Sequence, residues 1–152
     1  MKKIYLSLLS AFALATCLTS CEIETSDNGD LDGNWHLTRI DTLATGGIND
    51  LSESRLFWAI QAKLIHAVDY DYQNEAFYLR FNQTSDSLIV HTPYLDHWHQ
   101  DLENGGDIPV ADPTPLFPYG INSLEEHFAK EKCDGHHLIL KSKTLRLYFT
   151  SF

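Results

Sequence analysis

Cysteine is scarce in this chain: the 152 residues hold three, Cys17, Cys21 and Cys133. From residue 32 onward only Cys133 remains, so no disulfide framework can staple that part together, and a fold there has to rest on an apolar core. The 8 Phe, 7 Tyr and 3 Trp supply large apolar area for one. Positive charge is also short, with 11 Lys and Arg against 21 Asp and Glu. An acidic protein of this kind is a poor match for phosphate backbones or an anionic membrane surface, which sets nucleic acid aside as a partner class. Proline is absent from most of the chain and confined to Pro93, Pro109, Pro113, Pro115 and Pro118. Catalytic signatures are missing as well: there is no Gly-x-Ser-x-Gly and no cysteine within a redox or metal motif. The chain therefore reads as a single domain that is not an enzyme and calls for no cofactor.

What is present begins with an address. Met1-Lys2-Lys3 is a short positive stretch, and Ile4 to Leu18 is apolar apart from Ser7, Ser10 and Thr16. That run is too short for a comfortable membrane span and has no stop-transfer flank, so residues 1–20 read as an export signal. Leu18-Thr19-Ser20-Cys21 resembles the bacterial lipoprotein processing box. The resemblance implies cleavage before Cys21 and lipidation of its thiol and new amino terminus, a hold far stronger than one acyl chain gives. Loss of Lys2 and Lys3 leaves 9 basic residues against 21 acids, a net charge of −12. Residues 21–31 are polar and acidic, and read as a flexible tether leading to a domain over residues 32–152. Glu22, Glu24, Asp27, Asp30 and Asp32 resemble the surface-export signal of some Gram-negative lipoproteins; a solvated linker facing the periplasm is the other reading. Both put the protein at the outer membrane.

Alternation of apolar and polar residues dominates the rest. Asn34 to Leu43 reads as a first strand with Trp35, Leu37 and Arg39 on one face and His36, Thr38 and Ile40 on the other. Arg55 to Asp69 reads as one long strand, although Leu56, Ile60 and Leu64 also fit one face of a helix. Ala76 to Asn82 and Ser87 to Thr92 form a hairpin, and His137 to Lys141 with Thr144 to Thr150 forms a second. The 27 residues from Pro93 to Tyr119 have no periodicity, and a loop of that length in a compact domain is usually functional or disordered. Ser123 three residues before Glu126 is a capping-box spacing, and Gly135 follows Lys130 and Lys132, so a short helix is expected between them.

The series of a lipoprotein signal, an acidic tether, Gly33-Asn34-Trp35, antiparallel strands, the stretch Gly120 to Phe128 and a last strand Thr144 to Phe149 resembles the small lipocalin-like lipoproteins of unknown function from gut-type Gram-negative bacteria. The resemblance covers residues 30–152. It implies a mainly β domain, an antiparallel meander closing into a lipocalin-like barrel or half-barrel of six to eight strands, with no assigned activity. Six strands are evident in the sequence, where a full barrel of this kind has eight.

Two constellations stand out as candidate sites. Trp58, Tyr94, Trp98, Phe117 and Tyr119 could line the open end of a barrel near the proline-rich loop and hold a small apolar ligand or a glycan. His97 and His99, at i and i+2, with His91 nearby, could supply imidazoles to a metal. The expected role is a lipid-anchored, non-catalytic module for a small ligand. The alternatives are a structural or interaction subunit of an envelope complex and, behind it, a metal carrier or enzyme built on the histidines.

Overall fold

A computed structural model describes residues 26–97 and 108–152. Ten strands make one antiparallel sheet among these residues: β1 Gly33–Thr42, β2 Gly47–Asp50, β3 Leu56–Gln61, β4 Leu64–Asp69, β5 Phe77–Gln83, β6 Ser87–Leu95, β7 Ile108–Pro109, β8 Glu125–Cys133, β9 His137–Lys141 and β10 Leu145–Ser151. Eight of them follow one another in the order β1-β3-β4-β5-β6-β8-β9-β10, and β10 pairs back onto β1, so the sheet closes into a barrel. Closure gives each of these eight staves a neighbour on both sides. β2 lies beside the C-terminal half of β1 and β7 beside that of β6.

Alternation decides what fills the barrel. Phe77, Leu79 and Phe81 on β5 and Leu145, Leu147 and Phe149 on β10 point inward and are buried, as their period-two spacing predicts. Trp35, Trp58, Phe77, Phe128 and Phe149 are fully buried in the same core. Trp58 stands edge-on to Phe128 and tilted over Phe149, with ring centroids 6.1 and 5.0 Å apart. An eight-stranded barrel is just wide enough for side chains to fill it, and these aromatics, joined by Tyr119, occupy the core here.

The two staves that the sequence does not declare have identifiable causes. Arg55 to Asp69 is two strands, β3 and β4, not one, and turns over at Ala62-Lys63 without glycine, asparagine or proline. Ala62 takes φ of +53°, a left-handed conformation that costs an ordinary residue about 1–2 kcal/mol. The turn is clamped from outside: Ala62 N–H donates to Ser26 Oγ at 2.7 Å, and Asn28 Nδ2 donates to Ala62 O at 2.7 Å. Ser26 and Asn28 are in turn fixed on Asp32 Oδ1, at 2.6 and 2.7 Å. Residues 26–31 are thus docked rather than the flexible end of a tether, and Leu31 is buried and accepts the Trp35 indole N–H at 2.8 Å.

The second undeclared stave is β8, where a helix was expected. The Ser123–Glu126 pair does form, with Ser123 Oγ donating to Glu126 Oε2 at 3.0 Å and the Asn122 N–H donating to the same oxygen at 3.0 Å. It organises the start of a strand instead. β8 pairs with β6 on one side and β9 on the other; a helix here would leave both with unpaired backbone groups, and two turns of local propensity cannot offset that. The helical turns among the described residues are 3-10, at Gly29–Leu31 and Thr114–Tyr119. The second reaches into the core with Leu116 and Tyr119, followed by Ile121. One smaller correction concerns β1: the pairing with β10 shifts between Leu37 and Arg39, so Thr38 is the extra residue of a bulge. Beyond it the faces exchange, Ile40 turns inward and is buried, and Arg39 turns out.

Candidate functional site

The described residues among those proposed from the sequence take different places in the fold. Trp58 is fully buried in the barrel. Tyr119 is fully buried too; its ring meets Phe77 edge-on at 6.0 Å and its hydroxyl donates to Glu75 O at 2.7 Å. Burial pushes the Tyr119 phenol well above the usual tyrosine range, with Asp69 and Glu75 adding to the effect. Phe117 is exposed and Tyr94 half-buried on β6, opposite Tyr78 and Pro109. Trp98 and His99 lie outside the described residues. Trp58 and Tyr119 thus belong to the barrel core.

The histidines divide as well. His91 Nε2 bonds Asn82 Nδ2 at 3.1 Å and its Nδ1 bonds Thr92 Oγ1 at 2.7 Å, so its two ring nitrogens are engaged locally. His97 is half-buried beyond the end of β6. Among the described residues no group of three or more His, Cys, Asp or Glu is placed to hold a metal ion. A different histidine carries the notable pair: His66 Nε2 lies 2.9 Å from Asp96 Oδ2, and the ring stacks on Tyr78 at 4.5 Å.

The recess with the best mixture of groups lies on the outer wall. In β3 the run Leu56-Phe57-Trp58 is buried throughout, so the outward Phe57 must be covered by something other than the barrel. The His36 ring stacks on it at 4.9 Å, and Tyr70 and Phe152 meet it edge-on at 5.6 and 5.4 Å. These rings, with the loop at residues 52–55 and Asn34, surround an open recess of about 460 Å³. That volume suits a small organic ligand. His36 Nε2 sits 2.7 Å from Ser54 O; a carbonyl can only accept, so Nε2 carries the proton and Nδ1 is the ring's acceptor in the neutral form. Arg55 lies over the Tyr70 ring, 5.6 Å from its centroid, and Nη1 donates to Tyr70 O at 3.2 Å, which fixes one wall. A second recess of about 470 Å³ borders Ser26, Asp32, Gly33, Ala59 and Gln61, and it too is bounded by Asn34. Asn34 Oδ1 is closed off from solvent and accepts no hydrogen bond. Sequence reasoning looked for aromatics in one loop, whereas these rings come from β1, β3, the β4–β5 turn and the last residue. The one available signal was the three-residue apolar run Leu56-Phe57-Trp58, which breaks the alternation of a half-buried strand.

An antiparallel eight-stranded barrel closed by pairing its first and last strands is the architecture of a lipocalin-like domain. The chain belongs to the lipocalin-like domain family, whose model matches residues 16–152. Two solved structures are similar in fold. One is a lipocalin-like protein from Bacteroides uniformis ATCC 8492, with a TM-score of 0.59 and 20% identity over 82% of this chain and 100% of that one. The other is an uncharacterized protein from Bacteroides eggerthii DSM 20697, with a TM-score of 0.53 and 16% identity over 80% of this chain and 98% of that one. No curated protein matches. The fold is one suited to binding small ligands.

Proposed function

We propose that this protein is a lipid-anchored envelope lipoprotein that binds a small ligand without transforming it, and that the ligand sits in the outer-wall recess around Phe57, not inside the barrel. The observation that carries this reading is the contrast between a core occupied by six fully buried aromatics and a recess of about 460 Å³ walled by Phe57, Tyr70 and Phe152. Preformed aromatic walls with a few fixed polar groups are the usual make-up of a ligand site. The lipid anchor rests on Leu18-Thr19-Ser20-Cys21 and its place after the apolar run. With Cys21 lipidated, four residues, 22–25, separate the anchor from Ser26, which is bonded to the β3–β4 turn. The five residue steps from Cys21 to Ser26 reach at most about 18 Å, so the outer membrane and the second recess, which Ser26 borders, are close neighbours in this reading.

Native mass spectrometry of the protein purified from its own envelope tests both parts. The expected spectrum carries a lipid mass that disappears in Cys21→Ser and a small-molecule adduct that disappears in Tyr70→Ala. An adduct that survives Tyr70→Ala, or no adduct at all, overturns the assignment of the recess. An unmodified Cys21 overturns the anchor.

A further inference from the structure

We infer that the two outer-wall recesses act as one groove and that its ligand is a neutral glycan of two or more rings, read across β1 and β3 with Asn34 at the junction; this rests on the ligand reading above. Three observations lead there. First, both recesses are bounded by Asn34. The outward side chains Phe57, Ala59 and Gln61 follow one another along the same face of β3 between them, a length of about 13 Å at the rise of a strand. Ala59 stands directly opposite Asn34, and its methyl is the smallest side chain in that row, so nothing rises between the two recesses.

Second, the two ends differ in chemistry in the way a sugar chain requires. The Phe57 end offers aromatic faces, against which the C–H face of a pyranose ring can stack. The other end is polar, with Asp32, Gln61 and Ser26 at its border. Glu53 at one end can accept a hydroxyl donor, and Gln61 at the other can both donate and accept. Asp32 and Ser26 are already bonded to each other, to Asn28 and to the Ala62 N–H, and shape the polar end. A purely apolar ligand would desolvate Glu53 and Gln61 without giving them partners, and the acids Glu53 and Asp32 outnumber Arg55, which pairs with Asp71, so an anion is disfavoured.

Third, Asn34 Oδ1 is buried without a partner. A buried amide oxygen without a donor is a cost that a ligand hydroxyl would relieve. Phe152 is 90% exposed, lines the same recess and donates its N–H to Asn34 O at 2.9 Å. A ligand hydroxyl at the junction of two sugar rings supplies the missing donor.

The experiment is isothermal titration of the full protein with methyl pyranosides of glucose, galactose and mannose and with the matching 1,4-linked trisaccharides. At least one trisaccharide is expected to bind about tenfold or more tightly than its methyl pyranoside. Gln61→Ala is expected to erase that gain while leaving the weaker single-ring binding in place. Tyr70→Ala is expected to abolish both. Equal affinity for one ring and three, with both lost in Tyr70→Ala, overturns the groove and leaves the recess standing. Absence of binding by every sugar overturns the glycan class, and sugar binding untouched by Tyr70→Ala overturns the recess itself. The same trisaccharide carried on a lipid in phosphatidylcholine vesicles separates two sources of this chemistry: tighter capture than in solution identifies a glycolipid head group, equal capture a free glycan, and either supports the two-ring register.

Discussion

Alanine at position 120 would bring a methyl group within 2.5 Å of Leu147 Cδ2 and 2.9 Å of Cδ1. Leu147 is fully buried on β10, so its methyls can retreat only into occupied space. Gly120 also ends the Thr114–Tyr119 turn at φ of +78°. The left-handed backbone costs a residue with a Cβ about 1–2 kcal/mol, and overpacking a full core adds about 1–3 kcal/mol. Gly120→Ala should therefore cost about 2–5 kcal/mol in all. Gly46 supplies the control, because it has φ of +68° and nothing within 4 Å of its missing Cβ. Gly46→Ala should lose only the backbone part, about 1–2 kcal/mol. Urea unfolding followed by tryptophan fluorescence reads both, since Trp35 and Trp58 are core residues. In thermal unfolding each kcal/mol corresponds to about 3–5 °C for a domain of this size. Equal losses in the two variants would refute the reasoning, because they would mean that the turn before β8 does not press against Leu147 and the core is not closed there.

Three further outcomes follow from the same geometry. Ala62→Gly should raise stability by up to about 1 kcal/mol, since the left-handed turn no longer strains a Cβ; a loss in urea midpoint would count against the clamp by Ser26 and Asn28. Trp35→Phe should cost about 1–3 kcal/mol more than Trp58→Phe, because the Trp35 N–H donates to Leu31 O while the Trp58 N–H has no partner; the reverse order in chemical denaturation would contradict both assignments. Asp134 is held well below the ordinary carboxylate value of 3.8 by the His137 N–H, the Lys132 side chain and the His136 N–H. Its contribution is complete above that value and is lost as pH falls below it, so Asp134→Asn should flatten the fall of stability between about pH 4 and pH 2; an unchanged acid limb would argue that another carboxylate governs it.

Much of the barrel was legible because its strands alternate cleanly. Phe77, Leu79 and Phe81, and later Leu145, Leu147 and Phe149, announce an inward face with no help from the rest of the chain. What was not legible depends on contacts distant in sequence. The Ala62-Lys63 turn carries no turn residue, and its conformation is imposed by Ser26 and Asn28, some 36 and 34 positions away. The Ser123–Glu126 pair has the local pattern of a helix start, and only the demand of β6 and β9 for a partner makes it a strand. The bulge at Thr38 exchanged the faces of Arg39 and Ile40, which period-two reasoning cannot foresee. The outer recess was hidden for the same reason: His36, Phe57, Tyr70 and Phe152 are brought together by the closure of the sheet, and none belongs to a motif.

The central claim is that the ligand lies on the outer wall. Amide chemical shifts followed by NMR during titration with the best-binding 1,4-linked trisaccharide test it most directly. The account predicts shifts at Asn34, Arg55, Phe57 and Tyr70, which border or wall the recess, with the inward residues Leu79, Leu88 and Phe128 unmoved. Shifts centred on those three inward residues, with the outer wall silent, would contradict it.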